Sequence, residues 1–201
     1  MKNSVKILGI ALVASLCFSF CSSPQKAVQE LTALMEVADK TVQENPKDTA
    51  ACANFVRQTA AFMEKYPQQT LDSMLLFKAG EYALALTTLN KPIFEKSAAF
   101  GKHGILIFDA LMKHYPNFSQ IGVYYYDKAL IYDCLGNLSE AENYYREFMA
   151  KYPENSLTSN IQLYLDNAFG KSEDQIMAEI LEKNKDNTSM EDVPVEYMKA
   201  R

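Results

Sequence analysis

The sequence predicts an all-α protein, a solenoid of about eight helices stacked in pairs. Three observations lead there. Apolar residues recur at helical rather than strand spacing along most of the chain. Glycine and proline number only seven each in 201 residues, too few for the many tight turns of a β-rich fold. One helix ending, an aromatic followed by proline, is written three times.

The first segment is not expected to belong to the fold. Lys2 and Lys6 make a short positive region, and Ile7 to Phe20 follow as 14 residues without a charge. That run is shorter than the roughly 20 residues a helix needs to cross a bilayer, and it has the form of a secretory signal peptide over residues 1–20. The stretch Leu16-Cys17-Phe18-Ser19-Phe20-Cys21-Ser22-Ser23 resembles the lipobox of bacterial lipoproteins, although Phe20 is larger than the residue that family prefers before its cysteine. The resemblance implies that Cys21 becomes the lipid-bearing first residue, with several acyl chains giving stable membrane anchoring. It also implies export, and Ser22 after the cysteine points to the periplasmic face of the outer membrane. Residues 21–26 then read as a short tether.

Loss of the signal removes two lysines and leaves 18 basic against 25 acidic residues, a net charge of −7. An acidic body argues against nucleic acid as a partner, because phosphate binding needs clustered Lys and Arg. It argues equally against adhesion of the body itself to an anionic membrane surface. Cys52 and Cys134 remain, both at apolar helical positions more than 80 residues apart, and read as buried thiols.

Residues 27–184 carry the helices. Val28, Leu31, Leu34, Met35, Ala38 and Val42 form one apolar stripe; Cys52, Phe55, Val56, Thr59, Phe62, Met63 and Tyr66 form the next. The second stripe ends in Phe62-Met63-Glu64-Lys65-Tyr66-Pro67, the first copy of the repeated ending. Leu111-Met112-Lys113-His114-Tyr115-Pro116 and Phe148-Met149-Ala150-Lys151-Tyr152-Pro153 are the others, with prolines 49 and 37 residues apart. Proline stops the helix, since its ring clashes with the preceding turn and it lacks an N–H. The basic residue before it suits the negative end of the helix dipole. The longer spacing predicts about a dozen inserted residues around Lys91 to Lys96, including Pro92. Leu157 to Phe169 form a partial unit. Ser172 and Gln175 then have the spacing of a capping box for a last helix, Glu173 to Glu182. Residues 185–201 are polar, contain Pro194 and read as a flexible tail.

The third unit carries a family resemblance. Tyr125, Ala129 and Tyr132 fit the bulky, small and aromatic positions of a first helix, Gly136-Asn137 the turn, and Ala141 and Tyr145 the small and aromatic positions of a second. Asn137 and Glu140 have capping-box spacing, and Lys128 stands where a leucine is usual. Gly80, Gly104 and Phe108 fit the same frame one unit earlier, with Ala83 in place of an aromatic. The chain thus resembles the tetratricopeptide (TPR) proteins, whose units are about 34 residues long. Most of all it resembles the periplasmic TPR lipoproteins, such as those of outer-membrane β-barrel assembly and Tol-Pal coordination. The resemblance implies a scaffold, not an enzyme, that docks an envelope protein or peptide in a groove. It places Phe77, Glu81, Leu84, Tyr126, Leu130, Asp133, Asn160 and Leu163 on that groove, and turns Tyr125 toward the core.

Reactive chemistry leaves no mark in the sequence. His103 and His114 lie 11 residues apart on one predicted helix, out of reach of each other, and no Cys/His spacing resembles a zinc site. Gly101-Lys102-His103-Gly104 lacks the order of a phosphate loop, and no Gly-x-Ser-x-Gly elbow occurs. No cofactor or metal is expected. Scattered carboxylates such as Glu140, Glu142 and Glu147 read as a solvated helix face. Two other functions stay open: an accessory of glycan or nutrient uptake, whose known examples are far longer, and an enzyme of the cell wall.

Overall fold

A computed structural model describes residues 23–183; the expected signal segment, Cys21 and the 185–201 tail lie outside these residues. The described chain is all-α. It runs α1 (Pro24–Glu44), α2 (Ala50–Lys65), α3 (Ser73–Leu89), α4 (Phe94–His114), α5 (Ile121–Cys134), α6 (Leu138–Lys151), α7 (Ser156–Asn167) and α8 (Glu173–Lys183). Contacts run mainly between sequential helices and are most extensive within the pairs α3–α4 and α5–α6. The first helices of neighbouring pairs also touch, α1 with α3 and α3 with α5. This is an arrangement of stacked helix pairs.

Helix α1 starts three residues before the expected Ala27, so residues 24–26 of the expected tether are helical. Ser23 explains the early start. Its backbone is extended and its hydroxyl accepts the Lys26 N–H, while Pro24 supplies the first helical position, where the absent donor does no harm. Asp72, Asn137 and Asn155 cap α3, α6 and α7 through their side-chain oxygens. At α8 the capping box is reciprocal: Ser172 N–H donates to Gln175 Oε1 at 2.8 Å, and Gln175 N–H to Ser172 Oγ at 3.2 Å.

The three Tyr-Pro endings share one geometry. Tyr66, Tyr115 and Tyr152 are the C-caps of α2, α4 and α6, with ψ of 62°, 57° and 57°, and each N–H bonds the carbonyl four residues back. The later two rings reach back to their own pair. Tyr115 Oη donates to the Leu71 carbonyl at 2.8 Å, and the Tyr152 ring lies over Gly122, where a Cβ would sit 3.0 Å from Cζ.

The longer spacing between the first two prolines is taken up around Lys91 to Lys96, mostly as added helix. Helices α3 and α4 have 17 and 21 residues where α5 and α6 have 14 each, and only the turn Asn90–Ile93 separates them. Ser97 Oγ, fully buried, donates to the Thr87 carbonyl at 2.9 Å and holds the lengthened ends together.

The core has two parts. The larger joins α1 to α5 through Leu31, Phe55, Val56, Leu76, Phe108, Tyr124 and Ile131, all exposed by 1 % or less. Each such large apolar side chain contributes roughly 1.5–3 kcal/mol. The smaller gathers Ala129, Ala141, Tyr145, Phe148 and Ile161 of α5 to α7. Close approach in the larger part depends on Gly80, where a Cβ would meet Phe108 Cε1 at 2.4 Å. Burial then fades along the chain, for α7 buries only Ile161 and α8 buries no residue. Cys52 is buried and Cys134 half-buried; both are free thiols, pushed up in pKa chiefly by burial.

Candidate functional site

The residues expected on a groove come from α3, α5 and α7, and they fall into three environments. Phe77, Leu84, Tyr126 and Leu130 are half-buried and joined to the core. The Phe77 ring lies 5.9 Å from Tyr124 and 6.0 Å from Phe118; the Tyr126 ring lies 6.0 Å from Tyr145 and 6.1 Å from Phe148. Asn160 and Leu163 are exposed, Leu163 by 64 %. Glu81 and Asp133 are half-buried, and each is engaged with other polar groups.

Asp133 ties three helices. Its Oδ2 accepts from Tyr164 Oη of α7 at 2.5 Å and, more loosely, from Tyr145 Oη of α6 at 3.5 Å. Burial, followed by the Asp133 charge, raises the pKa of the Tyr145 phenol; at Tyr164 burial is followed by the hydrogen bond to Asp133. Both phenols therefore remain donors throughout the ordinary pH range.

Tyr124-Tyr125-Tyr126 is arranged differently from the expectation. Tyr124 is the fully buried one, stacked on Phe108 at 5.3 Å, whereas Tyr125 is half-buried. Tyr125 lies between Tyr144 and Tyr152 and accepts from Lys151 Nζ at 2.9 Å. The cause is the setting of α5. It is covered by α3 and α4 on one side and α6 on another, so more than one stripe of it is core.

Lys128, in place of the usual leucine, is buried as completely as one. Its ammonium is 2.6 Å from Asp109 Oδ1, donates to Tyr144 Oη at 2.5 Å and lies 4.1 Å from the Tyr144 ring centre. Burial works against the charge, but these two hydrogen bonds outweigh it and raise the pKa.

Asp127 was not singled out by its sequence context and is the most perturbed carboxyl. It is 4 % exposed, and burial followed by the charge of Glu81 pushes its pKa up to about 8. Glu81 acts on Asp127 by its charge and as a hydrogen-bonding neighbour, while Asp127 Oδ2 and the buried Tyr124 hydroxyl have no hydrogen-bond partner among the described residues. The signal that could have found it is the register of the small residues Ala38, Gly80 and Ala129, which aligns Asp127 with Lys78.

Elsewhere, a cavity of about 270 Å³ opens beside Met63, Leu71, Leu106, Asp109, Lys113 and His114. Among the described residues no three His, Cys, Asp or Glu side chains are grouped to hold a metal ion, and no helix is long and apolar enough to cross a membrane.

The fold and this face define an all-helical protein of eight described helices with sequential helix-pair contacts. Comparison with protein-family models, with curated proteins and with solved structures finds no match to the chain.

Proposed function

We propose that this chain is a TPR-type scaffold, exported and anchored by a lipid on Cys21, that docks an envelope protein or peptide in an outer-membrane assembly or maintenance complex. The observation that supports it most is the stacking of helix pairs with their first helices adjacent, α1 on α3 and α3 on α5. Such stacking offers an extended surface on which a peptide or partner helix is gripped by side chains from successive units. Half-buried aromatics such as Phe77 and Tyr126 suit that use, because large rigid rings make contact area at little entropic cost.

Two measurements test the reading. A photo-crosslinking residue at Leu130 or Leu163, in cells, should yield adducts with an envelope protein, and the same residue at Lys47, away from α3, α5 and α7, should not. Metabolic labelling with palmitate should mark the chain and vanish on Cys21→Ser. Crosslinks that arise equally from both places, or labelling indifferent to Cys21, would remove the docking face or the anchor respectively.

A further inference from the structure

One cation is missing from the register of the stacked pairs. Ala38, Gly80 and Ala129 are buried small residues of α1, α3 and α5, Gly80 lying between the equally buried Ala79 and Ala83, and aligning these three sets the junctions in one register. Asp39 and Glu81 each follow their small residue by one position, and Lys78 and Asp127 each precede theirs by two. At the first junction, α1 on α3, Lys78 Nζ lies 3.1 Å from Asp39 Oδ1, and Tyr82 Oη donates to the same oxygen. At the second, α3 on α5, Asp127 takes the place of Lys78, and Ile131 that of Tyr82. Glu81 therefore meets a second acid and loses both groups that neutralise its counterpart.

The second junction is also unsatisfied in hydrogen bonding. Among the described residues Asp127 Oδ2 and Tyr124 Oη are buried without partners, on side chains 4 % and 0 % exposed. A buried polar atom left unpaired is costly, and here two stand beside a half-buried carboxylate. The nearby cations are committed elsewhere, Lys78 to Asp39 and Lys128 to Asp109.

We propose that Glu81, Asp127 and Tyr124 form a receptor for one cationic side chain, lysine or arginine, of a protein partner lying along α3 and α5, which supplies the charge that Lys78 supplies at the preceding junction. The partner rests on the scaffold reading above; the cation site rests on the junction alone. Glu81 keeps part of its surface in solvent, so the cation enters from its side. Facing Asp127 are the charge of Glu81 and, on its own helix, the neutral phenols of Tyr124 and Tyr126. Free, the pair holds a proton near neutrality. Entry of the cation releases that proton to solvent and leaves an ion pair, so binding tightens as pH rises through about 8.

The test uses the full chain in detergent and two capped peptides, one with a single arginine between leucines and one with citrulline in its place. Calorimetry should show the arginine peptide binding at least about tenfold more tightly at pH 8.5, a difference of about 1.4 kcal/mol. Its affinity should rise severalfold from pH 6.5 to 8.5, with proton release. Asp127→Lys rebuilds the internal pair with Glu81; it should keep the helical circular dichroism and erase the arginine preference. Glu81→Gln, at a half-buried position, should weaken the preference without refolding the junction. Equal binding of the citrulline peptide, or a preference that survives both substitutions, overturns the cation site. So does saturation of the pair by calcium ion in place of the peptide. A cellular partner whose capture ignores Asp127→Lys overturns the cation site and leaves the scaffold reading intact. Failure to crosslink any partner removes the scaffold reading while the peptide preference is still measured.

Discussion

Lys128 buries its side chain to 1 % exposure and places its ammonium 2.6 Å from Asp109, whose own side chain is 57 % exposed. The pair is lopsided. Water can replace Asp109 only in part, because Lys128 lies deep between α4 and α6 with Tyr144 as its second partner. Exposed pairs contribute about 0–1 kcal/mol and breaking a fully buried one costs about 3–5, so Asp109→Ala should cost about 1–2 kcal/mol. In a Lys128→Leu background the same change should cost under about 0.5 kcal/mol, since no buried charge is then stranded. Urea unfolding of the four chains closes the cycle; an equal cost in both backgrounds would refute the coupling.

Gly80 and Gly104 should respond unequally to alanine. A Cβ at Gly80 would meet three atoms of the Phe108 ring, the nearest at 2.4 Å, and that ring is fully buried and stacked on Tyr124. At Gly104 the tightest contact is the far end of a flexible side chain, Ile131 Cδ1 at 2.7 Å, with the Ala83 Cβ next at 3.2 Å. Alanine gains roughly 1 kcal/mol of helix propensity at either position. Overpacking of about 1–3 kcal/mol should therefore leave Gly80→Ala the more destabilised by about 1–2 kcal/mol, with Phe108→Leu partly restoring it. Thermal midpoints decide this, and equal midpoints for the two variants would contradict the packing.

The pH dependence of stability carries the imprint of Asp127. Its folded pKa, about 8, lies above the ordinary carboxylate value, so between the two the folded chain binds more protons than the unfolded one. This contribution is complete at the acid side of that window and declines as pH rises to about 8, opposite in sign to a salt-bridged aspartate. Asp127→Asn should flatten that decline and make the chain more stable by on the order of 1–3 kcal/mol at pH 8.5. Urea midpoints from pH 5 to 9 measure it; parallel profiles for parent and variant would rule it out.

Asp133 is the polar tie that holds α7, which otherwise buries only Ile161. Removing the Tyr164 hydroxyl by Tyr164→Phe should cost about 1.5–3 kcal/mol locally, as expected for a hydrogen bond to a charged group. Amide exchange should quicken in α7 and α8 and stay unchanged in α1 to α4. Uniform acceleration across all helices would show instead that the end of the stack unfolds together with the rest.

Much of the fold was legible because it is written locally. Gly136 adopts φ of 72° in the turn before Asn137, as the Gly-Asn pair suggested, and the Ser172–Gln175 box forms in both directions. Tyrosine-proline stops end α2, α4 and α6 where the spacing put them. The errors belong to helices with more than one covered face. On α5 a single stripe does not define the core: Tyr125 packs half-buried against the smaller core part, Tyr124 is the innermost of the three, and the lysine at 128 is as buried as a leucine. The Glu81–Asp127 pair was invisible for a related reason. It joins residues 46 apart across two units, and only the register of both identifies the charges that meet. The added residues fall around Lys91 to Lys96 as the spacing put them, and there they lengthen α3 and α4 on either side of a short turn.

The common cap geometry of Tyr66, Tyr115 and Tyr152 has a consequence for how such a chain is lengthened or shortened. Each stop is fixed by its own last turn, so the polypeptide leaves every second helix in the same local conformation. Segments cut from one proline to the next are therefore interchangeable at their joints. Excising 117–153, or inserting a second copy, keeps the exit conformation intact and alters only which side faces are brought together.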